Sequence, residues 1–357
     1  MARTLFLLLL GSTLFATAVR AQTTLNPDIS LIGDVRAFSH DDPSRPTESK
    51  ELNLQSPNIE LMTTGYLNPY SRADAVFAWE SGNNATIEEA YATFLRGLPL
   101  GMNLRVGKYR LEFGRLNPTH PHAYSSIYLP LPHEEFFGEE GLNDMAVRAS
   151  FMIPTGGWYT EIMGAVLKGN ALEGEEAEAA ASEEEDDSAV AVKPGFFGRL
   201  TTSGAVSDYG EFTSGASIVT SYYDQPERLR ATVYGVDFKY KWKPNRNTSL
   251  TVQGEGLGNH REALDGAATD SYGGYAFFDY QFHQKYNAGS IFEYTQGKIN
   301  SDEHVWRLGG FTGFSPVEET SVVRFVGSWT KPNTSTGYWT ATLQLVFSLG
   351  PHKPHNF

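Results

Sequence analysis

The chain contains no cysteine, which excludes a disulfide framework and thiolate metal sites. It also lacks any apolar run of the roughly 20 residues that a membrane-spanning helix needs. The apolar stretch 5–10, with Leu14 and Phe15, is too short for that and follows Arg3. Small residues then flank Arg20 at Val19-Arg20-Ala21. A basic start, a short apolar core and a small-residue site predict a secretory signal over 1–21 and a mature chain of 22–357. Basic residues are scarce, 28 Lys and Arg against 42 Asp and Glu, so no nucleic-acid partner is expected. Helical periodicity is nearly absent, and neither Gly-x-Ser-x-Gly nor a Ser–His pairing stands out. An enzyme is therefore not expected.

The acidic excess is local. Nine acids fall within 173–187, a low-complexity tract without an aromatic. Such a tract cannot bury enough apolar surface to order itself, so it is expected to be a solvated, disordered outer loop.

What the chain does have is alternation. In Tyr338–Leu349, Trp339, Ala341, Leu343, Leu345, Phe347 and Leu349 form one face, and Thr340, Thr342, Gln344 and Ser348 lie on the other. In 232–242, Tyr234, Val236, Phe238, Tyr240 and Trp242 oppose Asp237, Lys239 and Lys241. Lysines behind an aromatic stripe make sense where one face meets lipid and the other meets water. About sixteen such segments recur, each of roughly the 9–11 residues that a tilted strand needs to cross a bilayer. Short turns alternate with longer connections, notably 39–56, 114–141 and 169–194. The pattern predicts an all-β fold: a single transmembrane antiparallel β-barrel with short periplasmic turns and long outer loops. Residues 350–357 form a C-terminal tail ending in Phe357. The expected setting is the cell outer membrane, reached by export and cleavage near Ala21, with lipid and the barrel-assembly machinery as partners.

Charges on a lipid-facing surface cost roughly 2–4 kcal/mol near the midplane, so period two turns most of them inward. The predicted lumen set holds Arg36, Arg72, Arg105, Arg148, Lys239, Lys241, Arg307 and Arg324, against Asp34, Asp74, Glu89, Glu161, Asp237, Glu255, Asp279 and Glu293. Such a wall either lines a water-filled pore or packs as interior salt bridges, and the balanced set gives no ion selectivity. One strand resists assignment. Leu104 and Val106 face lipid, yet Lys108 and Arg110 follow them. Either a bulge near Gly107 shifts the register or that end lies above the membrane.

The connection 114–141 carries the most chemistry. Its rings, Tyr124, Tyr128, Phe136 and Phe137, have little reason to sit in a solvated hairpin. The segment is expected to fold inward as a constriction loop, with Glu134, Glu135, Glu139 and Glu140 facing Arg105 and Arg148. It also holds His120, His122 and His133. His120 and His122 lie two apart in an extended Pro-rich stretch, so both could face one ion, and imidazole with carboxylate suits Zn²⁺. The alternative is a rim loop whose His and Glu are merely solvated. Apart from that candidate zinc, no cofactor is expected.

The run Asn103-Leu-Arg-Val-Gly-Lys-Tyr-Arg-Leu-Glu-Phe113-Gly114, preceded by Glu88-Glu89-Ala90-Tyr91, resembles a signature of the phosphate-selective porin O and P family. The opening Asn26-Pro-Asp-Ile-Ser-Leu-Ile-Gly-Asp34 and the run Phe136-Phe-Gly-Glu-Glu-Gly141 are similar to related porin-like outer-membrane proteins, some labelled zinc-regulated outer-membrane receptor. The resemblance is clearest over 26–150 and implies a sixteen-stranded, commonly trimeric diffusion porin. The reading is therefore a channel for passive diffusion of small hydrophilic solutes or ions, with a homotrimer as the expected assembly. A substrate- or metal-binding receptor or transporter is the second reading, and a structural or adhesive barrel the third. An energised receptor would need a globular plug before its strands, whereas strand signals begin here by Ile29.

Overall fold

The computed structural model describes residues 27–79, 85–169, 171–172, 193–317 and 320–350. The predicted signal, the acidic tract and the tail beyond Gly350 lie outside the described residues.

Sixteen strands follow one another in chain order: β1 (Asp28–His40), β2 (Asn53–Asn68), β3 (Ser71–Trp79), β4 (Thr86–Phe94), β5 (Asn103–Arg110), β6 (Asn143–Thr155), β7 (Trp158–Leu167), β8 (Gly195–Ser207), β9 (Gly210–Asp224), β10 (Leu229–Trp242), β11 (Ser249–Glu262), β12 (Ala268–His283), β13 (Tyr286–Gln296), β14 (His304–Val317), β15 (Ser321–Pro332) and β16 (Tyr338–Leu349). Each pairs antiparallel with its sequence neighbour, and β1 closes on β16. Closure removes every sheet edge, which is the condition for a sheet to cross lipid. Among the described residues no helix is long and apolar enough to cross a membrane. One short helix, α1 (Leu131–Phe137), lies in the connection between β5 and β6.

Period two decides which side chains enter the barrel. On β10, Tyr234, Val236 and Phe238 are exposed outside, while Val233, Asp237 and Lys239 are buried within. On β16, Leu343, Leu345 and Phe347 face out, and Thr342, Gln344 and Val346 face in. The chain ends of β1 and β16 share a rim with the short turns. Tyr66, Tyr70, Trp158, Tyr159, Tyr209, Phe282 and Tyr286 stand exposed near that rim. An aromatic girdle beside short turns marks the periplasmic end of an outer-membrane-type barrel.

β7 departs from simple alternation. Its stretch Ile162-Met-Gly-Ala-Val-Leu167 is apolar on both faces, with Met163, Ala165 and Leu167 buried inside. Phe197, Val219, Ala231, Val233 and Leu257 continue this inner apolar surface across β8 to β11. Water alone does not cover it. Leu111, Phe113, Phe136, Phe137 and Leu142, from the β5–β6 connection, pack against it. Each such burial contributes roughly 1.5–3 kcal/mol, so the connection is drawn into the lumen.

β5 is the shortest strand, at 8 residues. It stops at Arg110, because the chain turns inward there. Of the two alternatives for this strand, a bulge near Gly107 is not what the described residues show. β5 keeps unbroken register with both β4 and β6. Gly107 instead takes φ +138°, and a Cβ there would stand 2.2 Å from the Ala90 carbonyl oxygen. Lys108 sits opposite Met145, close to the outer rim.

Candidate functional site

The site is built around the inward connection 111–142. Its base is tied by Asn117, which is fully buried. Asn117 Nδ2 donates to the Leu111 and Leu142 carbonyls at 2.7 and 2.9 Å, and Oδ1 accepts from Leu142 N–H at 2.7 Å. The excursion 118–140 therefore leaves and returns at one point.

The far wall receives it through Glu255 on β11. One carboxylate oxygen accepts from Arg115 N–H and Leu116 N–H, both at 2.9 Å, and from Tyr275 O–H at 2.8 Å. The other lies 3.2 Å from His133 Nε2. From there the chain crosses to β2 and β4, where His120 and His122 stack with ring centroids 5.7 Å apart. Arg324 on β15 donates to the His122 carbonyl at 2.8 Å. Ile127 packs with Phe311 and Val326. Glu293 on β13 accepts the Leu131 N–H at 2.9 Å, and Arg307 bridges Glu293 (2.6 Å) and the Leu129 carbonyl (3.3 Å). Opposed sectors of the wall thus hold one loop.

Beside Glu255 and Glu293, which hold the loop, most of the predicted lumen charges fall into three groups. Arg105, Arg148, Glu89, Arg307 and Arg324 touch the loop or its inward stem. Arg36 pairs with Asp34 at 2.7 Å, Arg72 with Asp74 at 3.0 Å, and Asp237 with Arg199 at 2.7 Å, all within the wall. Lys239 and Lys241 make no ion pair among the described residues. Lys239 lines a cavity of about 100 Å³ with Arg115, Tyr124, Gln253, Phe277 and Asp279. Lys239 and Asp279 stand three and four residues from the periplasmic ends of β10 and β12, which puts the cavity under the loop on the periplasmic side. A space of this size holds several water molecules.

Two expectations need correction. Among the described residues Arg105 and Arg148 do not take Glu134, Glu135 or Glu139 as ion-pair partners, and the contact they share is not with the helix. Those guanidiniums share Glu112, 2.8 Å from Arg105 and in direct contact with Arg148. Glu112 lies in the inward continuation of β5, closer to both arginines along the fold than the helix is. Glu135 instead accepts from Lys298 N–H at 2.7 Å, the Glu140 carbonyl accepts from Arg110 at 2.6 Å, and Glu134 and Glu139 are exposed. The second correction concerns His133. It lies with Glu255 and Tyr275 on another part of the wall, because α1 carries it away from His120 and His122.

His120 and His122 do converge, on Glu89 of the predicted lumen set and on Glu60 and Glu88, which the sequence pattern left unassigned. His120 Nδ1 lies 3.4 Å from Glu88 and 3.5 Å from Glu60, and its Nε2 lies 3.4 Å from Glu89. His122 Nδ1 reaches Glu60 at 3.1 Å. Burial disfavours a charged His120, yet Glu88, Glu89 and Glu60 outweigh it and push its pKa up to about 9. The surroundings favour a positive charge at this point. Glu60 could have been noticed as a lone acid in mid-strand, which must face inward. Glu112, Arg199 and Asn117 gave no comparable signal.

No family model matches the chain. An uncharacterised protein of Aquifex aeolicus (strain VF5) is 27% identical over 390 residues, spanning 94% of this chain and 81% of that protein. Among solved structures, the outer membrane channel DcaP of Acinetobacter baumannii superposes with a TM-score of 0.59 at 12% identity, covering 91% of this chain and 96% of that one. An anion-selective porin from Comamonas acidovorans gives 0.59 at 9% identity, covering 90% and 100%. OmpT, an outer membrane protein of Vibrio cholerae, in a trimer form, gives 0.59 at 8% identity, covering 90% and 99%. At such identities the likeness is one of fold: the closed sixteen-stranded barrel of this chain superposes on outer-membrane channel and porin barrels.

Proposed function

We propose that the protein is an outer-membrane porin of narrow bore, which passes small hydrophilic solutes and ions by passive diffusion and favours anions. The observation that carries this reading is the inward loop 111–142, held by Glu255, Arg307, Arg324 and Glu89 from separate sectors of the wall. Sixteen strands enclose more space than their side chains fill. The loop takes up much of that space and leaves a cavity of about 100 Å³ beneath it, which we read as part of the permeation path. The anion preference rests on Arg115 and Lys239 at that cavity and on Lys241 two residues further along β10, basic residues without an ion pair among the described residues, against Asp279 on the cavity wall. Unpaired charge in a confined lumen sets the local potential, whereas paired charge largely cancels. The reading assigns the protein no catalytic role. Assembly as a trimer belongs to the same proposal.

Purified protein in planar bilayers tests it. Small ohmic steps, with a reversal potential in a KCl gradient displaced toward chloride, are the expected result. Heat-modifiable, folded protein that gives no steps would contradict a channel.

A further inference from the structure

The loop carries a second feature that conduction does not require. Glu60 Oε2 on β2, Glu88 Oε2 on β4 and His120 Nδ1 on the loop lie within 4.8 Å of one another. All three atoms are shielded from solvent, and none makes a hydrogen bond of good geometry, the nearest approach being His122 Nδ1 at 3.1 Å from Glu60 Oε2. Glu60 is 3% exposed. The separations of 3.5 and 3.4 Å from His120 Nδ1 are too long for a good N–H···O bond, whose usual range is about 2.7–3.2 Å. They match another arrangement. Ligands about 2.0–2.1 Å from a tetrahedral metal stand about 3.3–3.4 Å apart.

We infer that Glu60, Glu88 and His120 form a binding site for a divalent cation of the zinc class, which pins the loop to the β2–β4 wall. The inference is independent of the channel reading. The surrounding residues fit it in three ways. First, Glu89 Oε2 faces His120 Nε2 at 3.4 Å and accepts the Arg110 N–H at 2.9 Å through its other oxygen. A carboxylate on the far nitrogen of a ligating imidazole fixes the ring and leaves the near nitrogen free for metal. Second, His122 Nδ1 lies 3.1 Å from Oε2 and 3.2 Å from Oε1 of Glu60, so it holds that carboxylate in place beside the cluster. Third, the cluster is acidic: Glu60, Glu88 and Glu89 stand against the single guanidinium of Arg110, an excess of carboxylate that suits a bound cation. One imidazole with two carboxylates is a ligand set of the open zinc type, with a position left for water. The imidazole disfavours Mg²⁺ and Ca²⁺, which prefer all-oxygen sites. β4 supplies Glu88 through an irregularity. Val76 pairs with Glu89 and Phe77 with Ile87, so Glu88 is the extra residue of a bulge beside the loop.

The test uses full-length folded protein in detergent and Zn²⁺ alone as probe. Wild type equilibrated with micromolar Zn²⁺ and freed of excess by gel filtration should retain one zinc per chain. His120→Ala and Glu88→Gln should each lose it while keeping the heat-dependent gel shift of a folded barrel. His133→Ala, which alters a histidine outside the cluster, should keep it. Co²⁺ in place of zinc should give the intense visible absorption of tetrahedral coordination in wild type and not in Glu88→Gln. Zinc should also slow proteolysis within 111–142. Wild type that retains no more zinc than the two variants would overturn the inference. So would folded Glu88→Gln with undiminished zinc and an unchanged cobalt spectrum. Should His120→Ala fail to fold, the Glu88→Gln comparison decides alone.

Discussion

Gly114 lies directly against the carboxylate of Glu255: a Cβ on Gly114 would stand 1.8 Å from Glu255 Oε2. The two residues are 141 positions apart, and their contact is where the inward loop meets the far wall. Gly114 also has φ +60°, a conformation that costs a residue with a side chain about 1–2 kcal/mol. Gly114→Ala should therefore loosen the loop without preventing closure of the barrel. The variant should keep its heat-dependent gel shift and show larger, noisier single-channel steps. Steps identical to wild type would mean that this docking does not set the bore.

Arg199 and Asp237 form the most enclosed ion pair in the wall, with bonds of 2.7 and 3.0 Å and a third from Arg199 to Ser217 at 2.7 Å. Removing one partner leaves a buried charge, which typically costs about 3–5 kcal/mol. Arg199→Met should lower the temperature of the gel-mobility transition markedly. Arg199→Met combined with Asp237→Leu should recover much of it, since the uncompensated charge is gone. Equal losses in the single and double variants would show that the pair is not coupled.

Selectivity should follow the unpaired cations and not the exposed acids of the loop. Lys239→Gln with Lys241→Gln should move the reversal potential toward cations by several millivolts at low salt. The shift should shrink as salt rises and the Debye length falls from about 30 Å at 0.01 M to about 3 Å at 1 M. Glu139→Gln with Glu140→Gln should change it less, since both acids are exposed and the contact that Arg105 and Arg148 share is with Glu112. A larger effect from the glutamate pair would place the selective region at the outer mouth.

The barrel was legible because its code is local. Tyr234, Val236 and Phe238 alternate with Val233, Asp237 and Lys239 on one strand, and no distant residue is needed to read them. The inward fall of the loop was legible from Phe136, Phe137 and Tyr124, rings too many for a solvated turn. Its docking was not. Gly114 with Glu255, His120 with Glu60, and Arg324 with the His122 carbonyl join distant positions, and one sequence carries no periodic trace of such contacts. The misassigned partner of Arg105 and Arg148 has the same origin. Glu112 continues the β5 segment in sequence, yet β5 ends two residues earlier and the chain swings that carboxylate inward. The apolar inner face of β7 was visible as the run 162–167, though period two alone could not say what covered it.

The central claim is that the loop inside the barrel sets the conductance. Asn117 draws Leu111 and Leu142 together at the base of the loop, so removing 118–137 should leave ends that join without straining β5 or β6. Single-channel conductance of this deletion, compared with wild type in the same KCl solution, is the most direct test. The account predicts a folded, heat-modifiable barrel whose unitary conductance rises several-fold. A folded deletion variant with wild-type conductance would contradict it, because the permeation path would then bypass the loop.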